Sequence, residues 1–287
     1  MGLFSSKIKL YNINQIPEFQ SSNPYILTGY RAYLSAKLCI ISVLMLSNEF
    51  CNIWTHILGF LYFVYLSVYD QYKAIPERGG QSSDRLVFFV FHTGCQICML
   101  FSSLYHMFNC HLKFSVLQTF FSLDLLGIII AILGSYVIGL FYGFYCYHRV
   151  LQFYMALCTL IVIISIPMIM SKKYLSDSAT KVRTAHLSSI VLMGFLPIGH
   201  WASLVHGYEF NRVFPSICYF YLYIGCAFAF YVSKFPEVCK PGCFDIFGHS
   251  HTMWHVLIAC SFVYWRNFGL EMLKYRTYDQ CLCKDCT

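Results

Sequence analysis

Long apolar runs separated by short polar connections set the pattern of this chain. Seven of them, at 52–69, 86–105, 120–141, 150–170, 186–205, 215–232 and 247–265, approach or reach the ~20 residues an α-helix needs to cross the hydrocarbon of a bilayer. Ahead of the first, residues 30–45 mix Arg31 and Lys37 with Leu34, Leu38, Ile41, Val43 and Leu44, a pattern that predicts a short amphipathic helix along the membrane surface. The expected fold is an all-α membrane protein, a seven-transmembrane helix bundle. Its expected parts are an N-terminal segment (1–47), a membrane domain (48–268) and a cysteine-rich tail (269–287). Pro167 and Pro197 fall inside the fourth and fifth runs, where a kink is tolerated if neighbouring helices satisfy the freed carbonyls.

Composition agrees: 58% of residues are hydrophobic and only 11% charged, which excludes an ordinary soluble domain and makes membrane lipid the first partner. The net charge of +7 is scattered between the apolar runs, so it reads as topology and headgroup contacts and excludes a nucleic-acid surface. The 171–184 connection concentrates Lys172, Lys173, Lys181 and Arg183 against one acid, Asp177, which favours a cytoplasmic N-terminus and an exterior or luminal C-terminus. No cleavable signal pattern opens the chain, so the first span is expected to act as its own signal. Met1-Gly2-Leu3-Phe4-Ser5-Ser6 fits N-myristoylation of Gly2, with Lys7 and Lys9 to hold anionic lipid; a plain disordered start is the alternative. Most of the fifteen cysteines lie in apolar runs and read as small hydrophobes. Cys239 with Cys243, and the tail Cys281, Cys283 and Cys286, leave disulfide, acylation and metal binding all open.

The candidate chemistry starts at His251 and His255, whose i, i+4 spacing puts two imidazoles on one helical face, as two ligands of one metal require. Taken alone they fit interface histidines, hydrogen-bonded to headgroups or water, better than metal ligands. With alternating crossings, however, the end of span two and the starts of spans one, three and seven share one membrane face. This gathers Glu49, Asn52, His56, Ser102, His106, Asp124, His251 and His255. Three histidines with an open position are the ligand set of a catalytic zinc, so His106, His251 and His255 are assigned as metal ligands. Asp124 is expected to hold or deprotonate a water there, a carboxylate at the edge of an apolar helix being functional by default. Ser102, one turn before His106, either hydrogen-bonds a substrate carbonyl or water, or packs helices together. His56 is expected to make a buried structural hydrogen bond, with support of a metal ligand from behind as the alternative, and His249 to lie in the loop before the last span.

Three ordered blocks, Asn48-Glu49-x2-Asn52-Ile53-Trp54-Thr55-His56, Ser102-x3-His106 with Asp124 following, and Ser250-His251-x3-His255, resemble the motifs of the progestin and adipoQ receptor family. The likeness continues through Asn23-Pro24-Tyr25, Gly29-Tyr30-Arg31-Ala32-Tyr33-Leu34 and Tyr231-Val232-Ser233-Lys234-Phe235-Pro236-Glu237, and covers about residues 10 to 278. It implies seven helices with a cytoplasmic N-terminus, a zinc on the matching histidines, and kinship with alkaline ceramidases that hydrolyse ceramide-like lipid amides. The connecting stretches resemble most closely the family's third member. That implies a signalling regulator in the Golgi membrane, with the plasma membrane as the alternative, which captures a Raf-type kinase and dampens mitogen-activated kinase signalling. Capture is expected on residues 13–47, through Tyr30, Arg31, Tyr33 and Lys37.

Overall fold

The computed structural model describes residues 8–21, 23–205 and 207–278; the Gly2 pattern and the cysteines at 281, 283 and 286 lie outside the described residues. Among the described residues the regular structure is helical, with two isolated bridges, Tyr11 to Tyr30 and Leu34 to His111. In chain order the helices are α1 (Ala36–Ile41), α2 (Phe50–Tyr69), α3 (Ser82–Phe108), α4 (Phe114–Gly143), α5 (His148–Met170), α6 (Lys172–Leu175), α7 (Thr180–Leu192), α8 (Phe195–Leu204), α9 (Tyr208–Ser233) and α10 (Ser250–Tyr278).

Six stretches are long and apolar enough to cross a membrane: Phe50–Ala74, Ser82–Phe108, Phe114–Gly143, His148–Met170, Thr180–Leu204 and Tyr208–Ser233. They coincide with the first six runs of the sequence. The seventh, α10, has 29 residues and so spans about 43 Å, more than a hydrocarbon core requires, but its polar and charged side chains dilute its apolar character. It also continues past residue 265, carrying Arg266 and Arg276, because both find buried carboxylates: Arg266 pairs with Asp70 and Arg276 with Asp84. The fifth span breaks between α7 and α8 at Met193 and Gly194, four and three residues before Pro197, whose ring displaces the carbonyl four residues back. Carbonyls in the turn before the break accept from tyrosine hydroxyls. Tyr136 donates to Ile190 O, and Tyr221 donates to Val191 O at 3.3 Å. Gly194 is needed at this crossing, since a Cβ there would collide with the Tyr221 and Tyr136 side chains.

The amphipathic helix expected over 30–45 shrinks to α1 and one 3-10 turn, Ser42–Leu44. Its first half is drawn into extended pairing instead. Tyr30 N donates to Tyr11 O at 3.1 Å, Leu34 N to Cys110 O at 3.0 Å, and Leu112 N to Leu34 O at 2.9 Å. Tyr30 and Arg31 are buried, so neither offers the partner contact expected of it, while Tyr33, Ile40, Leu44 and Leu46 are exposed.

The chain forms two compact units. One comprises Met1–Phe60, Met99–Leu125 and Leu222–Cys260; the other comprises Leu61–Cys98, Leu126–Tyr221 and Ser261–Thr287. In the second, α3 and α4 approach closely where each presents a glycine: a Cβ on Gly94 would lie 3.0 Å from Ile130 O, and one on Gly134 3.2 Å from Phe91 Cα. The same unit buries a polar network. Asp70, in the π-helical turn Asp70–Ala74 that ends the first span, accepts from Arg266 Nε at 2.8 Å and faces His92 Nε2 at 2.7 Å. Asp84 accepts from Arg276 Nη2 at 2.6 Å, Tyr142 Oη at 2.9 Å and the Gln81 amide at 2.8 Å.

Removing one partner of a buried ion pair strands the other charge, so Asp70→Ala is expected to destabilise the protein by about 3–5 kcal/mol. A lowered melting temperature in detergent reads this out. Asp70→Leu combined with Arg266→Met removes both charges and should recover most of the loss; a double variant as unstable as the single one would show that the pair itself is not what Asp70 serves.

Candidate metal centre

All the residues of the three sequence blocks that bear on chemistry fall in the first unit. His106 sits two residues before the end of α3, and His251 and His255 occupy the first two turns of α10. Their ligand atoms lie within 4.8 Å of one another, and the ring centroids of His251 and His255 are 4.6 Å apart. Nε2 of His106 and Nε2 of His251 are 3.2 Å apart. Imidazole nitrogens at ~2.0–2.1 Å from a tetrahedral metal stand about 3.3 Å from each other, so this spacing suits a shared ion.

An imidazole binds metal only through an unprotonated nitrogen, and two neighbours arrange this. His106 Nδ1 lies 2.8 Å from Glu49 Oε2, so its proton belongs on Nδ1 and its Nε2 lone pair faces the other histidines. Thr55 Oγ1 donates to Cys51 O at 2.7 Å; its single proton thus committed, it accepts from His255 Nδ1 at 3.3 Å, which frees His255 Nε2. Glu49 also receives Asn52 Nδ2 and Asn109 Nδ2, each at 2.7 Å. Burial works to raise the Glu49 carboxyl, but His106, Asn52 and the Arg31 guanidinium outweigh it and hold the group below the usual carboxylate range.

The start of α10 is fixed by a second carboxylate. Glu237, fully buried, accepts from Ser250 N at 2.8 Å, from Ser250 Oγ and from Asn23 Nδ2 at 2.9 Å, placing negative charge at a helix N-terminus. Thr252 Oγ1 donates to Asn52 Oδ1 at 2.9 Å, so Asn52 joins the residues behind His106 to the helix carrying the other two imidazoles. The carbonyl of His106, near the end of α3 where helical acceptors run out, takes Arg31 Nη2 at 2.7 Å.

Asp124 and Ser102 are neighbours at this site, and Asp124 lies within electrostatic reach of His106. Since α4 begins at Phe114, Asp124 stands about three turns inside the helix, deeper than the run edge at 120 suggested. His249 lies in the loop as expected, its Nε2 3.1 Å from Asn48 O. His56 is buried but does not make the expected hydrogen bond. Its ring stacks on His255 with centroids 3.7 Å apart, and neither nitrogen meets a partner among the described residues. The roles of Glu49 and Thr55 in setting the tautomers escaped sequence reasoning, although Glu49 stood in a motif block; so did the Asp70, His92 and Arg266 network, whose signal was an acid at the end of a span.

The structure thus defines a multi-pass helical membrane protein with a histidine cluster able to hold a metal ion. The profile of the haemolysin-III related family matches residues 44–265, and the chain belongs to that family, which takes in the progestin and adipoQ receptors. It is 36% identical over 277 residues to progestin and adipoQ receptor family member 3 of Mus musculus, covering 96% of this chain and 89% of that protein. It is 31% identical over 283 residues to heptahelical transmembrane protein 1 of Arabidopsis thaliana, covering 95% and 84%. Against the adiponectin receptor protein of Drosophila melanogaster, identity is 30% over 280 residues, covering 95% and 62%.

Removing a carboxylate behind a ligating histidine commonly lowers metal affinity 10–100-fold, so Glu49→Gln is expected to weaken metal binding by about that factor. His251→Ala and His255→Ala should abolish stoichiometric metal and lower the melting temperature, while Asp124→Asn should retain the ion. Elemental analysis of the purified variants with competing chelator checks each. Full metal occupancy in both histidine variants would contradict the ligand assignment.

Proposed function

We propose that this protein is a membrane signalling regulator in which His106, His251 and His255 hold zinc, and in which the N-terminal segment is the cytosolic surface that a Raf-type kinase meets. One contact carries the reading: the Arg31 guanidinium, buried in the N-terminal segment, binds the carbonyl of His106 at 2.7 Å. Any change at the histidines is therefore one hydrogen bond away from the segment proposed to dock the partner. The exposed side chains there are Tyr33, Lys37, Ile40, Leu44 and Leu46. The kinase and the Golgi membrane, with the plasma membrane as the alternative, are what the sequence resemblance to the family's third member implies; 36% identity over most of both chains supports that resemblance and nothing finer.

Two observations support a cytosolic N-terminus. The connection between α5 and α7 is rich in Lys and Arg. Cys146, between α4 and α5, is disulfide-bonded, and disulfides persist in exocytoplasmic compartments. Successive crossings put those two connections on opposite faces, and put the residues before α2 on the basic one. Residues 1–47 are then cytosolic and residues 269–287 exterior or luminal.

A second reading, hydrolysis of a ceramide-like lipid amide, is favoured by Ser102 and Asp124 meeting beside the histidines. Zinc bound there would supply Lewis acidity toward an amide carbonyl and toward water. Asp124 would take up and return protons, Ser102 would hold a hydrogen bond to the carbonyl, and the apolar helices would shelter the acyl chain from water.

The two readings separate by experiment. Asp124→Asn removes a proton carrier whose help is worth ~10²–10⁴-fold in rate, so an amidase would lose its turnover. Tyr33→Ala with Lys37→Ala alters only exposed side chains of the segment. With matched folding and membrane location, kinase-pathway output is expected to change in the Tyr33 and Lys37 variant and to ignore Asp124→Asn. Loss of that output in Asp124→Asn together with altered ceramide turnover would overturn the regulator reading in favour of the enzyme.

A further inference from the structure

One pair of thiols stands apart from the other cysteines. Sγ of Cys39, in α1, lies 3.6 Å from Sγ of Cys110, two residues beyond α3, and both side chains are essentially inaccessible to solvent. They pack in a small core with Ile8 and Leu34, walled by Leu38, Ile41, Met45 and Phe108. Non-covalent ties run along the same seam: Leu34 N to Cys110 O at 3.0 Å, Leu112 N to Leu34 O at 2.9 Å, and Arg31 Nη2 to the His106 carbonyl at 2.7 Å. Cys110 follows the proposed ligand His106 by four residues.

We propose that Cys39 and Cys110 are a redox-active dithiol whose reversible disulfide locks the N-terminal segment onto the end of the helix bearing His106. An S–S bond is about 2.05 Å long, so the sulfurs need to close by only about 1.5 Å. The oxidant is a peroxide small enough to enter the packed seam. The Cys110 thiolate attacks one peroxide oxygen, forming a sulfenic acid and releasing hydroxide, which takes up a proton to leave as water; the Cys39 thiol then attacks that sulfur, its proton passing to the departing hydroxyl, so that the S–S bond forms and a second water leaves. Two thiols are oxidised and one peroxide is reduced to two waters. A cytosolic thiol reverses the reaction by exchange.

The surroundings favour Cys110 as the attacking thiol. Its pKa is drawn below the usual thiol value first by the hydrogen bond shared with Cys39 and then, against the effect of burial, by the Arg31 guanidinium. The lock stands on this seam alone and does not require the kinase reading. If residues 13–47 are the docking surface, it makes that surface sensitive to oxidation.

The test uses the full-length protein in lipid nanodiscs, treated with hydrogen peroxide, blocked with N-ethylmaleimide under denaturation and digested for mass spectrometry. A linked peptide joining residues 39 and 110 is expected, lost on treatment with dithiothreitol. Trypsin cleavage after the exposed Lys37 should slow about tenfold on oxidation, because cleavage tracks the population of the lifted segment. In Cys39→Ser that slowing should vanish, and dimedone should label Cys110 as its sulfenic acid. Oxidation of the exposed Cys218 with no 39–110 link would overturn the proposal. A link that leaves Lys37 cleavage unchanged would overturn the lock.

Discussion

A charged group at membrane depth has little water to turn to, so it must gather its partners from other protein groups. That constraint organises both units. In the first, Glu49 and Glu237 each gather several donors, and those donors come from separate stretches of chain: Asn52, His106 and Asn109 for one, Asn23 and Ser250 for the other. In the second, Asp70 and Asp84 draw in Arg266 and Arg276 from α10. Apolar packing in lipid is poorly directional because tails and side chains are equally oily; the saturated carboxylates therefore specify register where packing alone would leave it loose.

The same saturation prepares the histidines. A metal site needs donors presented before the ion arrives, and each imidazole has two tautomers, one of which hides the lone pair. Glu49 and Thr55 settle the choice for His106 and His255. Glu237 holds the turn from which His251 emerges. These interactions are made among protein groups alone, so the binding free energy of an ion would not be spent on ordering the ligands, and metal and fold would stabilise each other.

The spans were legible because a requirement of about 20 apolar residues is written in composition, and the histidines converged in the sequence because helical spacing and alternation of crossings are counting arguments. What failed was non-local. Residues 30–45 have a helical pattern, yet Leu34 pairs with backbone near residue 111, and that pairing won over helix propensity. Arg31 looked like a surface contact because nothing nearby in sequence accepts from it; its acceptors are Ser42 Oγ and the carbonyl of His106. The length of α10 was missed for the same reason, since Arg266 is tolerable only beside Asp70, 196 positions away. His56 was placed correctly inside the protein, but its role is contact by its ring face, which sequence spacing does not encode.

The carboxylates of the histidine-bearing unit divide by how much bonding capacity they have left. Glu49 accepts from two amides and a histidine, and Glu237 from a helix N-terminus, a hydroxyl and an amide; Asp245 accepts from Leu27 N at 3.0 Å, Thr28 N at 2.8 Å and Thr28 Oγ1 at 2.6 Å. A carboxylate with that many donors serves structure, because taking a proton would break the bonds that define it. Asp124 differs: among the described residues no comparable set of donors gathers on it, and its polar neighbours are Ser102 and His106. Fewer protein donors therefore compete for its lone pairs. Proton traffic during amide hydrolysis and a hydrogen bond to the polar head of a bound lipid would both use such lone pairs, so under the two proposed readings Asp124 is where a regulator and an enzyme would diverge.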